Sequence, residues 1–298
     1  MTPPFPYFGE ILSLGNAVVW AVAVILFKKS GEHVHPIALN IFKNLLAVVL
    51  IIPTMWLVDV SLFEPAPLHD YGLMLLSGIL GIGIADTLFF MSLNIVGAGL
   101  MAIVDCFYSP SMIVLSVLFL SETLGLWQVV GAGLIISAVL VCSAGRPPAH
   151  LTRGQLVLGV VYGAVGVMLM AVSIIIVKPL LERSSVLWVT EWRLIGGLLV
   201  LAVVMAFRRD RRWIASTAFS VHHRGYMFSA SFVGAYLAMI FWLAGMKFTQ
   251  ASIASALNQT TNVFTFALAA IFLKDRITLP RAAGILLAVG GAYLVMFG

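Results

Sequence analysis

Long apolar runs, separated by short polar links, follow one another along the whole chain. They fall at about 9–28, 36–58, 71–95, 97–120, 126–144, 154–178, 186–207, 225–247, 250–273 and 279–297. Each run, coiled as a helix, is long enough to cross about 30 Å of hydrocarbon. Barrel strands would instead alternate apolar and polar positions over about ten residues. The breaks carry turn-forming residues: Lys28-Lys29-Ser30-Gly31, the Pro65/Pro67 loop, Gly145-Arg146-Pro147-Pro148, the Arg208–Arg212 cluster, and Pro280 opening the last run. The expected fold class is therefore all-α, integral to the membrane, with ten transmembrane helices.

The pattern occurs twice. Shifted by 153, Gly81 falls on Gly234, Ala98 on Ala251, Asp105 on Asn258, Glu122 on Asp275 and Gly131 on Gly284. Shifted by 150, Lys28 falls on Lys178 and Lys43 on Arg193. The chain divides into a five-helix unit at 1–145, a linker at 146–153 and a second five-helix unit at 154–298. Five is odd, so the second unit must enter the membrane from the opposite side. Inverted repeats of this kind build secondary transporters, with a site near the midplane where the halves meet.

Composition narrows the class. Apolar residues make up 61% and charged residues 10%, with a mean hydropathy of +1.08, which leaves too little charge for a soluble surface. The net charge of +5 does not indicate nucleic-acid binding, because the basic residues sit in short links between spans. Odd-numbered links hold 12 lysines and arginines and even-numbered links hold 3. The positive-inside rule then places the odd links in the cytoplasm and both termini outside. The opening MTPPFPYFGE lacks a basic leader region, so the run behind it reads as a first span. Cys106 and Cys142 both fall in apolar spans, and no cysteine–histidine metal spacing is present.

Polar groups inside spans are costly in hydrocarbon and usually face a cavity, a partner or a water path. Lys43 and its repeat mate Arg193 could present two positive charges to a shared cavity and hold a carboxylate or phosphate. Asp86, deep in the third span, and Asp105, in the fourth, could take up and release protons or bind a substrate ammonium group; either could also neutralise Lys43. The ninth span carries Asn258-Gln259-Thr260-Thr261-Asn262, in which Asn258 and Asn262 share one helical face. Five consecutive polar residues cannot all face another helix, so part of this run should line a cavity. Tyr108 and Ser109 fall in the equivalent region of the fourth span. Trp20, Phe89, Phe90, Tyr236 and Trp242 are the aromatic candidates for a pocket wall. The GxxxG of Gly159 and Gly163 reads as close packing inside one chain. His222-His223 reads as a solvated face, and Glu122 and Asp275 as turn residues at the membrane edge.

Trp20, Lys28, Lys43 and the sequence Pro110…Glu122-Thr123-Leu124…Gln128…Gly131 resemble the drug/metabolite transporter superfamily, most nearly its ten-helix EamA-like exporters. Asp275-Arg276-Ile277-Thr278…Arg281…Gly284 fits the second repeat of that family. The resemblance implies a secondary transporter in the plasma (bacterial inner) membrane, with spans 1–4 and 6–9 around a central cavity and spans 5 and 10 in support. It implies cytoplasmic termini, against the charge count. It also implies a cargo among amino acids, other metabolites, nucleotide sugars or drugs. One position departs: four-helix multidrug relatives carry a glutamate eight residues before the lysine that ends their first helix. Here Trp20 and, in the second repeat, Met170 stand there, so carboxylate coupling at that place does not carry over.

The reading is a secondary active transporter that exports a small polar or amphipathic metabolite, amino-acid-like, by alternating access. Its site would draw on Trp20, Lys43, Asp86, Asp105, Tyr108, Arg193, Asn258 and Asn262. Its partners would be a small-molecule substrate, the lipid bilayer and protons as a candidate coupling ion, with no cofactor. The chain would act as a monomer or homodimer. Rival readings are a lipid or lipid-carrier flippase and a non-transporting membrane assembly subunit. An intramembrane enzyme would need a nucleophile–base pair or metal cluster within the spans, and none is found.

Overall fold

The computed structural model describes residues 5–120, 125–127, 129–131, 133–134, 137–138, 151–218, 224–274 and 279–297. The acidic turns with Glu122 and Asp275, Gln128, Cys142, most of the 146–153 linker and His222-His223 lie outside the described residues. Among those described, the regular structure is helical throughout. That suits hydrocarbon, where each backbone N–H and C=O needs a partner within the protein.

In chain order the elements are α1 (Phe8–Gly31), α2 (Pro36–Leu57), α3 (Leu68–Gly78), a π segment (Ile79–Ala85), α4 (Asp86–Asp105) and α5 (Tyr108–Leu120). After described helical residues between 126 and 138 come α6 (Arg153–Arg183), α7 (Val186–Phe207), α8 (Arg211–Ala218) and α9 (Arg224–Ser231). A second π segment (Phe232–Ala238), α10 (Met239–Phe248), α11 (Ala251–Asn258), α12 (Thr260–Phe272) and α13 (Leu279–Phe297) complete the chain. Among the described residues six stretches are long and apolar enough to cross a membrane: α1, α2, Leu68–Asp105, α6, α7 and Arg224–Phe248.

The repeat shows in the element bounds. Adding 150 to the limits of α2 gives those of α7, and adding 153 to the first π segment gives the second. The same shift relates two helix breaks. The chain stops being helical after Asp105 and resumes at Tyr108, and it is interrupted again at Gln259, between Asn258 and Thr260. The expected unbroken spans at 97–120 and 250–273 are thus each two shorter helices. Inside α4, two helices meet at Gly97, whose φ of 81° and ψ of 167° are non-helical. This conformation is open essentially only to glycine.

Helix ends are capped in ways the sequence explains. Thr152 and Gln155 form a reciprocal capping box at the start of α6, through Gln155 N–H to Thr152 Oγ1 at 3.2 Å and Thr152 N–H to Gln155 Oε1 at 3.0 Å. Lys28 Nζ donates to the Asn94 carbonyl at 3.3 Å. Its repeat mate Lys178 donates to the carbonyls of Met246 (2.5 Å) and Thr249 (3.2 Å) at the end of α10. A cation placed on the last carbonyls of a helix satisfies unpaired acceptors and opposes the dipole.

The packing crosses between halves. α1 lies against α10 and α12 of the second half, while α4 lies against α6, and α3 and α2 against α7. Small residues allow these approaches. A Cβ on Gly78 would stand 1.9 Å from the Arg193 carbonyl oxygen, and one on Gly196 2.4 Å from that of Leu75. Gly159 and Gly163 press on Val96 and Val104 of α4, the close packing within one chain that their spacing predicts.

Polarity runs opposite to that of a soluble protein. Val18, Val22, Leu45, Val49, Leu199 and Val203 are exposed, whereas Asn40, Lys43, Asn44, Asp86 and Arg193 are buried. An apolar exterior around a polar interior is stable where the surrounding solvent is lipid. The Arg208–Arg212 cluster breaks the helix at Arg208–Asp210, and its last two arginines begin α8. This short amphipathic helix buries Ile214 and exposes Trp213.

Candidate functional site

A cavity of about 110 Å³ lies in the interior, lined from α1, α2, the ends of both π segments, α4, α5, α6, α10, α11 and α12. A water molecule takes up about 30 Å³ of liquid, so the space admits several waters or the polar part of a small molecule. Of the eight residues picked out in the sequence, Trp20, Lys43, Asp86, Asp105, Tyr108 and Asn258 line it. Asn262 lines a smaller adjoining space of about 10 Å³, together with Trp20 and Asp105. Arg193 is not among the lining residues of either.

Lys43 and Asp86 form the site's ion pair. Lys43 Nζ lies 2.6 Å from Asp86 Oδ2, with the side chains 2% and 8% exposed. Lys43 also donates to Asn44 Oδ1 at 2.9 Å, Asn44 Nδ2 donates to Asn40 Oδ1 at 2.9 Å, and Asn40 Nδ2 donates to the Ile82 carbonyl at 2.8 Å. The chain of bonds has a local cause. A π segment has wider turns than an α-helix, and Asn40 bonds a carbonyl within that segment. Asp86, the first residue beyond it, faces α2. Asp86 is thus the acid that neutralises Lys43, an alternative the sequence left open between Asp86 and Asp105.

Asp105 has different company. Among the described residues no lysine, arginine or histidine lies within ion-pair distance of it. Its partner is an amide. With the Asn262 and Gln259 amides both turned, Asn262 Nδ2 donates to Asp105 Oδ2 at 3.2 Å and to the Ala102 carbonyl at 3.1 Å. Across the cavity, Asn16 Nδ2 donates to Asn258 Oδ1 at 2.9 Å, leaving Asn16 Oδ1 and Asn258 Nδ2 buried without partners. Asp105 and Asn258 are the last residues of their half-helices, so both repeat mates present polar side chains at a helix break. Broken helices of this kind are where membrane proteins place binding groups.

Aromatic side chains close the walls. Trp20 stands 6.0 Å from Phe89 and 6.2 Å from Phe27 between ring centres. Met170, the repeat counterpart of Trp20, also lines the cavity, as do Phe89 and Trp242. Phe90 is buried beside Lys43, 5.8 Å from Nζ to ring centre, and Tyr236 bonds Thr54 at 2.7 Å. Neither of these two is among the lining residues. Arg193, expected beside Lys43, sits behind Trp242 with its guanidinium carbon 5.6 Å from the ring centre. Asn16, Gln259 and Thr261 also line the cavity. Asn16 had a legible signal, a lone amide in an apolar run, and Gln259 and Thr261 belong to the polar run of the ninth span. Among the described residues no three His, Cys, Asp or Glu side chains converge as a metal site would require.

The model of the EamA-like transporter family matches twice, over residues 7–144 and 157–297. The chain belongs to the EamA-like transporter family. It is accordingly a membrane transporter built from two copies of the family unit, and the cavity lies where these two copies pack on one another. A crystal structure with 17% sequence identity superposes with a TM-score of 0.68, covering 97% of this EamA-like chain and 96% of its own. At that identity the likeness is one of fold alone. No curated protein matches the sequence.

Proposed function

We propose that this EamA-like transporter is a secondary active exporter of a small polar or amphipathic, amino-acid-like metabolite. It works by alternating access in the plasma (bacterial inner) membrane. Ten transmembrane helices, as two inverted five-helix repeats at 1–145 and 154–298, would rock about the central cavity. The observation that carries this reading is the character of Asp105. It is a cavity carboxylate held by the Asn262 amide and by no described cation, beside an ion pair that is already balanced. Such a carboxylate can bind a proton or a ligand's ammonium group, and the two compete for the same oxygens. Competition of that kind couples substrate movement to proton movement, because release of one accompanies uptake of the other. Asn258, Asn16 and Gln259 would supply neutral hydrogen bonds, and Trp20, Phe89 and Tyr108 the apolar walls.

Counterflow in proteoliposomes with labelled amino acids, with and without a pH gradient, tests the reading. Gradient-driven uptake is expected in the native protein and not in Asp105→Asn, which should remain folded. Full gradient-driven uptake by Asp105→Asn would overturn the role given to Asp105. Exchange unaffected by the gradient would assign Asp105 to substrate binding alone.

A further inference from the structure

Lys43 and Arg193 occupy equivalent positions in the two repeats, but their surroundings are not equivalent. Lys43 has Asp86. The position that corresponds to Asp86 in the second repeat is Met239, so the second half offers Arg193 no acid there. Glu191, two positions away on the same helix, makes no ion pair with it, and none is formed by any described carboxylate. Arg193 is nonetheless fully buried. A guanidinium has five N–H donors. Here Nε donates to Ser77 Oγ at 2.9 Å and Nη2 to Ser173 Oγ at 3.4 Å, while Nη1 is buried with no partner. The guanidinium also meets the face of Trp242, which itself lines the cavity. The field of Asp86 reaches Arg193 without an ion-pair contact, and a buried charge with no bonded counter-ion is expensive in any protein. One indole separates this charge from the substrate space.

We infer that Arg193 is a concealed subsite for the anionic group of the ligand, and that Trp242 is its movable cover. The inference rests on the transport reading above and deepens it. The ligand would place an ammonium group on Asp105 and a carboxylate on the free guanidinium edge, with its apolar body between Trp20 and Phe89. When Trp242 turns aside, the cation–ring contact is exchanged for a two-point carboxylate contact, which the planar fork of arginine suits and a lysine would not reproduce. Lys43, already bonded to Asp86 and Asn44, then serves to hold α2 against α4.

Matched probes separate the charges. Three sets built on the leucine, phenylalanine and methionine side chains would each contain the amino acid, the amine lacking its carboxylate, and the acid lacking its amine. They would serve as competitors of amino-acid counterflow into proteoliposomes containing the full chain. In the native protein the amino acid should compete roughly tenfold to a hundredfold better than its amine, the size of a charge-assisted bond pair. Arg193→Gln should bring the two to equal strength, and Arg193→Lys should restore only part of the difference. Trp242→Leu, which uncovers Arg193 without altering it, should turn the acid from a weak competitor into a good one. This variant also keeps the inference testable if Arg193→Gln does not fold. Equal competition by amine and amino acid in the native protein, or no gain for the acid in Trp242→Leu, would overturn the subsite and leave transport standing. Absence of counterflow for all three sets with folded protein would refute the amino-acid-like reading itself.

Discussion

The Lys43–Asp86 pair offers the sharpest energetic test. Replacing Asp86 by Asn leaves an ammonium group 2% exposed, with Asn44 Oδ1 at 2.9 Å as its remaining strong acceptor. Replacing Lys43 by Gln strands the carboxylate in the same way. Breaking a buried pair from one side costs about 3–5 kcal/mol, mostly because the surviving charge is left in a low-dielectric interior. Removing both charges leaves no stranded ion, so Lys43→Gln with Asp86→Asn should cost no more than either change alone. The coupling energy would then be about as large as one single-site effect, well outside the few tenths expected of independent sites. Reversible unfolding of the four purified proteins in mixed micelles measures this cycle. Additive losses, to within about 0.5 kcal/mol, would refute the claim that the two charges hold one another.

Two further outcomes follow from local geometry. Gly97→Ala places a side chain at a φ of 81°, which should cost about 1–3 kcal/mol and lower the melting temperature; an unchanged melting curve would mean that the chain relaxes there. His35, in the link before α2, accepts the Ile37 N–H on Nδ1 at 3.2 Å and meets Trp213 edge-on at 5.7 Å. Burial, and then the nearby Arg208, hold its ring below the ordinary 6.5. A lowered folded value means that its contribution to stability is complete above about pH 6.5 and is lost as the pH falls through the folded value. An NMR titration of the ring should give a value below 6.5, and one at or above it would contradict the packing of α8 on this link.

Much of the fold was legible because membrane helices write themselves as long apolar runs, and because the same polar landmarks return at fixed offsets. Pro36 marks the start of α2, and the 150-residue offset carries its bounds onto α7. The π segments were not legible. ILGIGIA and FVGAYLA read as uninterrupted apolar sequence, and their wider turns are identified only by which carbonyl each N–H meets. The break at Gln259 left a trace in the polar run around it, whereas that after Asp105 left little beyond the residue itself. Of the six chosen residues that reach the cavity, all but Trp20 do so because an ionisable or amide group in a span has few other tolerable places. Arg193 obeys the same rule and still misses the lining, since a single side chain from α10 stands in front of it. No one-dimensional pattern reports which of two neighbours is nearer the cavity.

Gly97 has a mechanical consequence. Because α4 turns at that residue with no link between its two arms, Asp86 on the first arm and Asp105 on the second ride on the same short crank. The corresponding position of the second repeat is Gln250, outside any helix between Phe248 and Ala251, so there the two arms are separate helices. If a ligand binds Asp105 as proposed, a pull there would be passed along α4 to the arm that grips Lys43. In the proposed rocking motion the first repeat would thus carry its two acids on one continuous element, and the second repeat would carry the matching positions on two.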